Sequence, residues 1–232
     1  MATEEENISK VKIMDLDFSK IKFRPVKPKT KFRQLYYDLN ALVIVFPKLA
    51  VPFSARTDQF GRADITISLG EEVVKKKKSE QIIGKLKELD LFIQDLAEKG
   101  NWLEGFSGLR YNPIVKQPNS NYPPRFNPKL DKNGGSTFYS DNNEVIEYSG
   151  NDITTFLTKG TKILPRIEFT GVYFMGTTWG LTYKFYDAKL YSVPTTELDE
   201  QETPSAEDHV EFLSSSESGG SDNEMGVEEL EE

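Results

Sequence analysis

The chain has 232 residues, a formal net charge of −8 and a hydrophobic fraction of 37%, with 15 Phe, 10 Tyr and 2 Trp. No Cys and a single His exclude disulfides and thiolate sites, and leave zinc binding and histidine-based catalysis without raw material. Aromatics at 12% argue against a wholly disordered chain, and no apolar run reaches the length of about 18 residues that would span a membrane.

The charge is divided along the chain. Residues 195–232 hold 14 Asp or Glu and no Lys or Arg, so residues 1–194 carry a net charge of +6. A basic body with an acidic tail points to polyanions, and to a tail that competes with them or recruits partners.

Residues 1–9 are expected to be disordered, and "MATEEENISK" is acidic and polar, unlike a secretory signal; the expectation is an intracellular, soluble protein. Residues 10–23 partly alternate apolar and polar positions and read as strand, followed by the basic "RPVKPKTKFR". "ALVIVFPKLAVPF" (residues 41–53) reads as a buried strand that bends or ends at Pro47, "TDQFGR" as a turn, and "ADITISL" (residues 63–69) as a second hairpin strand. The period then changes. Ile82, Leu86, Leu89, Ile93 and Leu96 form a helical stripe with Ser79 as cap and Gly100 as stop, which predicts an amphipathic helix over 79–99. Strand signals return at 109–116, 125–130, 136–140 and 144–149, with a turn or single helical turn at 151–160. "TKILPRIEFTGVYFMG" and "WGLTYKFYDAKLYSV" are two long aromatic strands joined by "GTTWG". In the second, Trp179, Leu181, Tyr183 and Phe185 share the core face and Thr182, Lys184 and Tyr186 the other. Residues 194–232 are rich in Ser, Glu, Asp and Gly and are expected to be disordered.

The fold class expected is mainly β: an elaborated OB-like antiparallel barrel over residues 10–193, with one amphipathic helix and a disordered acidic C-terminal tail. No phosphate-binding loop, nucleophile elbow or metal-ligand spacing is present, so no catalytic residue, cofactor or metal is expected. Asp15, Asp17, Asp64, Asp90, Glu168 and Asp187 read as exposed strand or turn carboxylates. What the body offers is cations interleaved with flat side chains, the combination that holds single-stranded nucleic acid by phosphate contact and base stacking. The candidate binding residues are Lys29, Lys31, Arg33, Arg56, Arg62, Arg110, Tyr111, Lys116, Tyr122, Arg125, Phe126, Lys129, Lys184 and Tyr186. Half of these lie in "LRYNPIVKQPNSNYPPRFNPKL" (residues 109–130), which holds no Asp or Glu. The "KKKK" at 75–78 reads as a solvated run that adds non-specific phosphate contacts.

The layout resembles the single-stranded DNA-binding proteins related to the T7-type bacteriophage family, and the versions in large eukaryotic DNA viruses. The resemblance is carried by "LTKGTKILP", the hairpin "LPRIEFTGVYFMGTTWGLTYKFYDAKLY", the Pro-rich basic segment after the helix and the acidic tail. It implies sequence-independent binding of single-stranded DNA in viral replication, recombination or repair, as a homodimer or cooperatively along the strand, with replication proteins met through the tail. The phage-type tail ends in an aromatic residue, whereas this chain ends "VEELEE" and Phe212 is the only aromatic in its tail. Two other classes fit the same residues: an acidic-tailed histone or assembly chaperone, and an RNA-binding barrel.

Overall fold

The structure, a computed structural model, describes residues 7–27, 29–57, 63–70, 74–117, 122–130, 135–148 and 152–191. Its elements in chain order are β1 (Ile8–Lys12), β2 (Ile21–Phe23), β3 (Phe32–Tyr37), β4 (Ala41–Val45), β5 (Leu49–Ala50), β6 (Arg56–Thr57), β7 (Ala63–Asp64), β8 (Ile67–Ser68), α1 (Lys76–Lys99), β9 (Arg110–Tyr111), β10 (Arg125–Phe126), β11 (Thr137–Tyr139), β12 (Val145–Ile146), α2 (Ile153–Phe156), β13 (Lys162–Met175) and β14 (Thr178–Tyr191). Short 3₁₀ turns at 13–15 and 18–20 join β1 to β2. The expected tail lies outside the described residues, as does most of the turn expected after β6.

The long hairpin organises everything else. β13 pairs along its whole length with β14, and its other edge is shared in turn by β5, β4 and β3. Two register shifts mark bulges in the hairpin: Tyr186 is the extra residue on β14 opposite Arg166–Ile167, and Thr170 is the extra residue on β13 opposite Thr182–Tyr183. Such bulges bend and twist a strand, which is how one strand can serve three neighbours pointing in different directions. From β5 the sheet continues to β8 and β10. The chain just after β10 then returns to β14: the Lys129 amide donates to the Tyr183 carbonyl at 3.2 Å, and the Phe185 amide donates to the Lys129 carbonyl at 2.8 Å. These two bonds close the ring β13–β5–β8–β10–β14 into a small barrel, the OB-like body the strand pattern predicts. The sheet that extends from this barrel is mixed. β1 with β4, β9 with β14 and β11 with β14 pair in parallel, because each pair is joined through a long crossover.

The barrel is filled by Ile44, Phe46, Leu49, Ile67, Phe126, Phe169 and Phe185, with Phe46 stacked on Phe126 at 5.2 Å and Phe169 on Tyr183 at 5.3 Å. Helix α1 adds Ile82, Leu86, Leu89 and Ile93 to the same core, as its stripe predicts, and it stops at Gly100. It starts earlier than expected, from Lys75. Ser79 is therefore not its cap; it is buried inside the first turns, where its hydroxyl donates to the Leu69 carbonyl and ties the helix to the end of β8.

Candidate nucleic-acid interface

In β3, Leu35 and Tyr37 point into the core, so Phe32, Gln34 and Tyr36 face outward. The bulge at Phe169–Gly171 resets the phase of β13, leaving Val172 and Phe174 inside and Gly171 and Tyr173 outside. β14 turns out Gly180, Thr182 and Lys184 in the matching positions. Across the sheet, Phe32 lies opposite Tyr173, Gln34 opposite Gly171, and Glu168 opposite both Val43 and Lys184. Lys10 extends this last row from β1. The result is one outward strip along β13.

The strip begins with a flat ring. A side chain on Gly171 would run into the Arg33 carbonyl oxygen and come within 2.7 Å of the Phe32 ring. Because residue 171 is glycine, that ring lies down across β13 while the side chain stays 42% exposed. Beside it the Asn112 side-chain amide donates to the Tyr173 hydroxyl at 2.8 Å, and Lys116 donates to Asn112 in turn. Asn112 can sit there only over Gly180, whose absent Cβ would approach its carbonyl oxygen to 2.7 Å. Further along, the Thr170 and Thr182 hydroxyls meet at 2.6 Å, Lys184 pairs with Glu168 at 3.3 Å, and the Lys10 ammonium stands 5.1 Å from the Tyr186 ring centre. Aromatic surface, hydroxyls and cations thus follow one another along a strip that runs about 15 Å from Tyr173 to Glu168.

Asp90 holds the margin of this surface. It is buried on α1 and accepts from the Tyr111 hydroxyl at 2.6 Å and from the Ile114 amide at 3.0 Å. Burial pushes its carboxyl up to about 6, against the pull of those two hydrogen bonds and of Lys116. Burial also raises the Tyr111 phenol, with the Asp90 charge acting in the same direction, and lowers the Lys116 ammonium. Asp90 was expected among exposed carboxylates, as was Asp187, which is buried beside Arg166. Each is buried because it has partners that occupy its oxygens.

The candidate residues fall in several places. Lys31 is exposed just before the flat Phe32 ring, and the stem of Lys29 lies against Gly105. Arg33 is in the opposite phase from Phe32 and lays its guanidinium 4.9 Å from the Trp102 ring, where burial lowers its pKa. Arg110 is exposed opposite Thr178, and Tyr111 is spent on Asp90 and packs edge-on against Trp179 at 4.7 Å. Lys116, Lys129, Lys184 and Tyr186 are on or beside the strip. Arg56 and Tyr122 are exposed, and Arg125 stands 5.8 Å from the Phe53 ring. Phe126 is 0% exposed, inside the barrel, so its ring faces the core and not the solvent. Arg62 lies outside the described residues.

Phe32, Tyr173, Lys10 and the Thr170–Thr182 pair are absent from the sequence-based set. The signal for Phe32 was present in "KTKFRQLYY": Leu35 marks the inward phase, which sends Phe32, Gln34 and Tyr36 outward and Arg33 inward. For Tyr173 there was no such signal, because the bulge at Gly171 reverses the phase without a mark in the residue pattern.

The fold and the strip together define a small closed barrel with an outward aromatic and cationic face. No family model matches the chain, and no curated protein matches it. Among solved structures the chain is similar to the single-stranded DNA-binding protein of bacteriophage Enc34. The C-terminally truncated form gives a TM-score of 0.43 at 13% identity, over 76% of this chain and 98% of that one. The same phage protein in complex with single-stranded DNA gives 0.43 at 12% identity, over 72% of this chain and 94% of that one. Among the described residues no helix is long and apolar enough to cross a membrane, and no cluster of three or more His, Cys, Asp or Glu is placed to hold a metal ion.

Proposed function

We propose that the chain binds single-stranded DNA without sequence preference, as a non-catalytic coat for exposed strands during replication, recombination or repair of a viral genome. The observation that carries this reading is the strip itself. Phe32 is laid flat by Gly171 and left open on its outer side, and Tyr173 and a file of lysines follow within one strand length. A flat ring takes any base, and lysines take any phosphate, so the arrangement is indifferent to sequence. The 14 acidic residues of 195–232 oppose the same cations and lower the affinity of the full chain.

The test is a titration of labelled oligo-dT at two salt concentrations, with RNA as competitor. Binding weakens with salt at a slope of about −0.7 per phosphate neutralised. Phe32→Ala and Tyr173→Ala each reduce affinity by about 1–3 kcal/mol, the value of one stacked base. Loss of residues 195–232 raises it. Affinity that is insensitive to salt, or unchanged in both aromatic variants, removes the reading. Preferential displacement by RNA moves the substrate to RNA.

A further inference from the structure

The β3–β4 connection is a two-residue turn in which Tyr37 and Asn40 exchange backbone hydrogen bonds at 2.8 and 3.0 Å. Its two central residues, Asp38 and Leu39, both take positive φ, 47° and 71°. A turn of this twist asks for Gly, which has no Cβ, or for Asn or Asp, whose short polar side chain offsets the strain with a local hydrogen bond. Leucine has no polar atom to offset that strain. The long hairpin does what is expected and places Gly176 at φ 63° in its turn. Among the described residues, Leu39 is the only aliphatic side chain at positive φ.

Leu39 is also 85% exposed, more than any other large apolar side chain among the described residues. The turn beneath it is held from several sides. Lys20 pairs with Asp38 at 2.9 Å, the Asp38 amide donates to the Lys20 carbonyl at 3.2 Å, and the Asn40 amide group donates to Ser9 at 3.1 Å. Strain that survives because its surroundings over-determine it is characteristic of functional positions. Here it presents one apolar knob, rigidly, three residues beyond Tyr36 on the strand whose outer face starts the aromatic strip.

The neighbours of the knob say what it meets. Its chain neighbour Asp38 is paired with Lys20 at 2.9 Å, so the exposed leucine stands next to a charged pair. A stable protein contact needs a contiguous surface of about 1,000 Å² or more. A base step needs one inserted side chain, with cations beside it for the phosphates.

We infer that Leu39 is a wedge: where the bound strand enters a duplex, the terminal base pair meets Leu39 and opens against it. The inference rests on the proposed single-strand binding and adds a second activity to it, the fraying of single-strand/double-strand junctions.

The probe is a short duplex with an oligo-dT arm and 2-aminopurine in the first base pair, whose fluorescence rises when that pair unstacks. Wild-type protein raises the signal, and Leu39→Gly loses most of that rise while binding plain oligo-dT as wild type does. Leu39→Gly also relieves the turn, so its Tm rises by about 2–4 °C, which separates a lost wedge from a damaged fold. Leu39→Met keeps the junction signal. The wedge is overturned if Leu39→Gly opens the junction like wild type, or if Leu39→Gly lowers the sedimentation mass of the free protein, which assigns the knob to a second copy of the chain. A wild-type protein that ignores oligo-dT brings down the single-strand reading itself.

Discussion

Replacing Asp90 by Asn isolates the one buried carboxylate that ties the helix to the edge of the strip. Its pKa stands at about 6 in the fold against an ordinary value of 3.8. A difference of about 2 pKa units corresponds to about 3 kcal/mol between the two protonation states. The folded value is the raised one, so the Asp90 contribution is complete below about pH 4. It declines as pH climbs through the window between the two values and is gone above about pH 6. Asn keeps the size and one acceptor and does not titrate. Urea unfolding of both proteins at several pH values from about 4 to 7 gives the difference curve, in which all shared titrations cancel. Asp90→Asn gains on wild type by about 2–3 kcal/mol as pH rises across that range. A flat difference, or a gain by wild type, refutes the claim that burial outweighs the Tyr111 and Ile114 hydrogen bonds.

Phe126→Ala opens a hole between Phe46 and Tyr183 and costs about 3–5 kcal/mol in urea unfolding, while the fraction that remains folded binds oligo-dT as wild type does. Gly171→Ala drives a methyl group into the Arg33 carbonyl and the Phe32 ring, so it lowers stability by about 1–3 kcal/mol and weakens oligo-dT binding together.

Much of the architecture could be read from residue order because its signals are local. Helix α1 announces itself through Ile82, Leu86, Leu89 and Ile93, and β14 through the alternation of Trp179, Leu181 and Phe185 with Thr182 and Lys184. What could not be read depends on long-range geometry. The strand expected at 109–116 is reduced to Arg110–Tyr111, because from Asn112 onward the chain is held by Tyr173, Asp90 and the Lys116–Arg125 bridge. Phe126 looked like a stacking residue within a basic, Pro-rich segment, yet that segment supplies the bonds that close the barrel, so its central aromatic must fill the interior. Arg33 shows the same limit. Charge suggested a phosphate contact, and the strand phase set it over Trp102 instead.

The reliance of three successive strands on one edge of β13 has a consequence for how the protein is made. β5, β4 and β3 find their shared neighbour only in residues 162–175, and β10 and its following turn find β14 only beyond that. Until the ribosome has delivered this hairpin, some hundred and more residues of nascent chain carry open strand edges and no barrel to close them. Contacts of such long sequence separation make for slow folding. The Pro and Lys residues scattered through residues 24–52 and 113–129 then serve the unfinished molecule as much as the finished one, since they keep waiting edges from pairing with other chains.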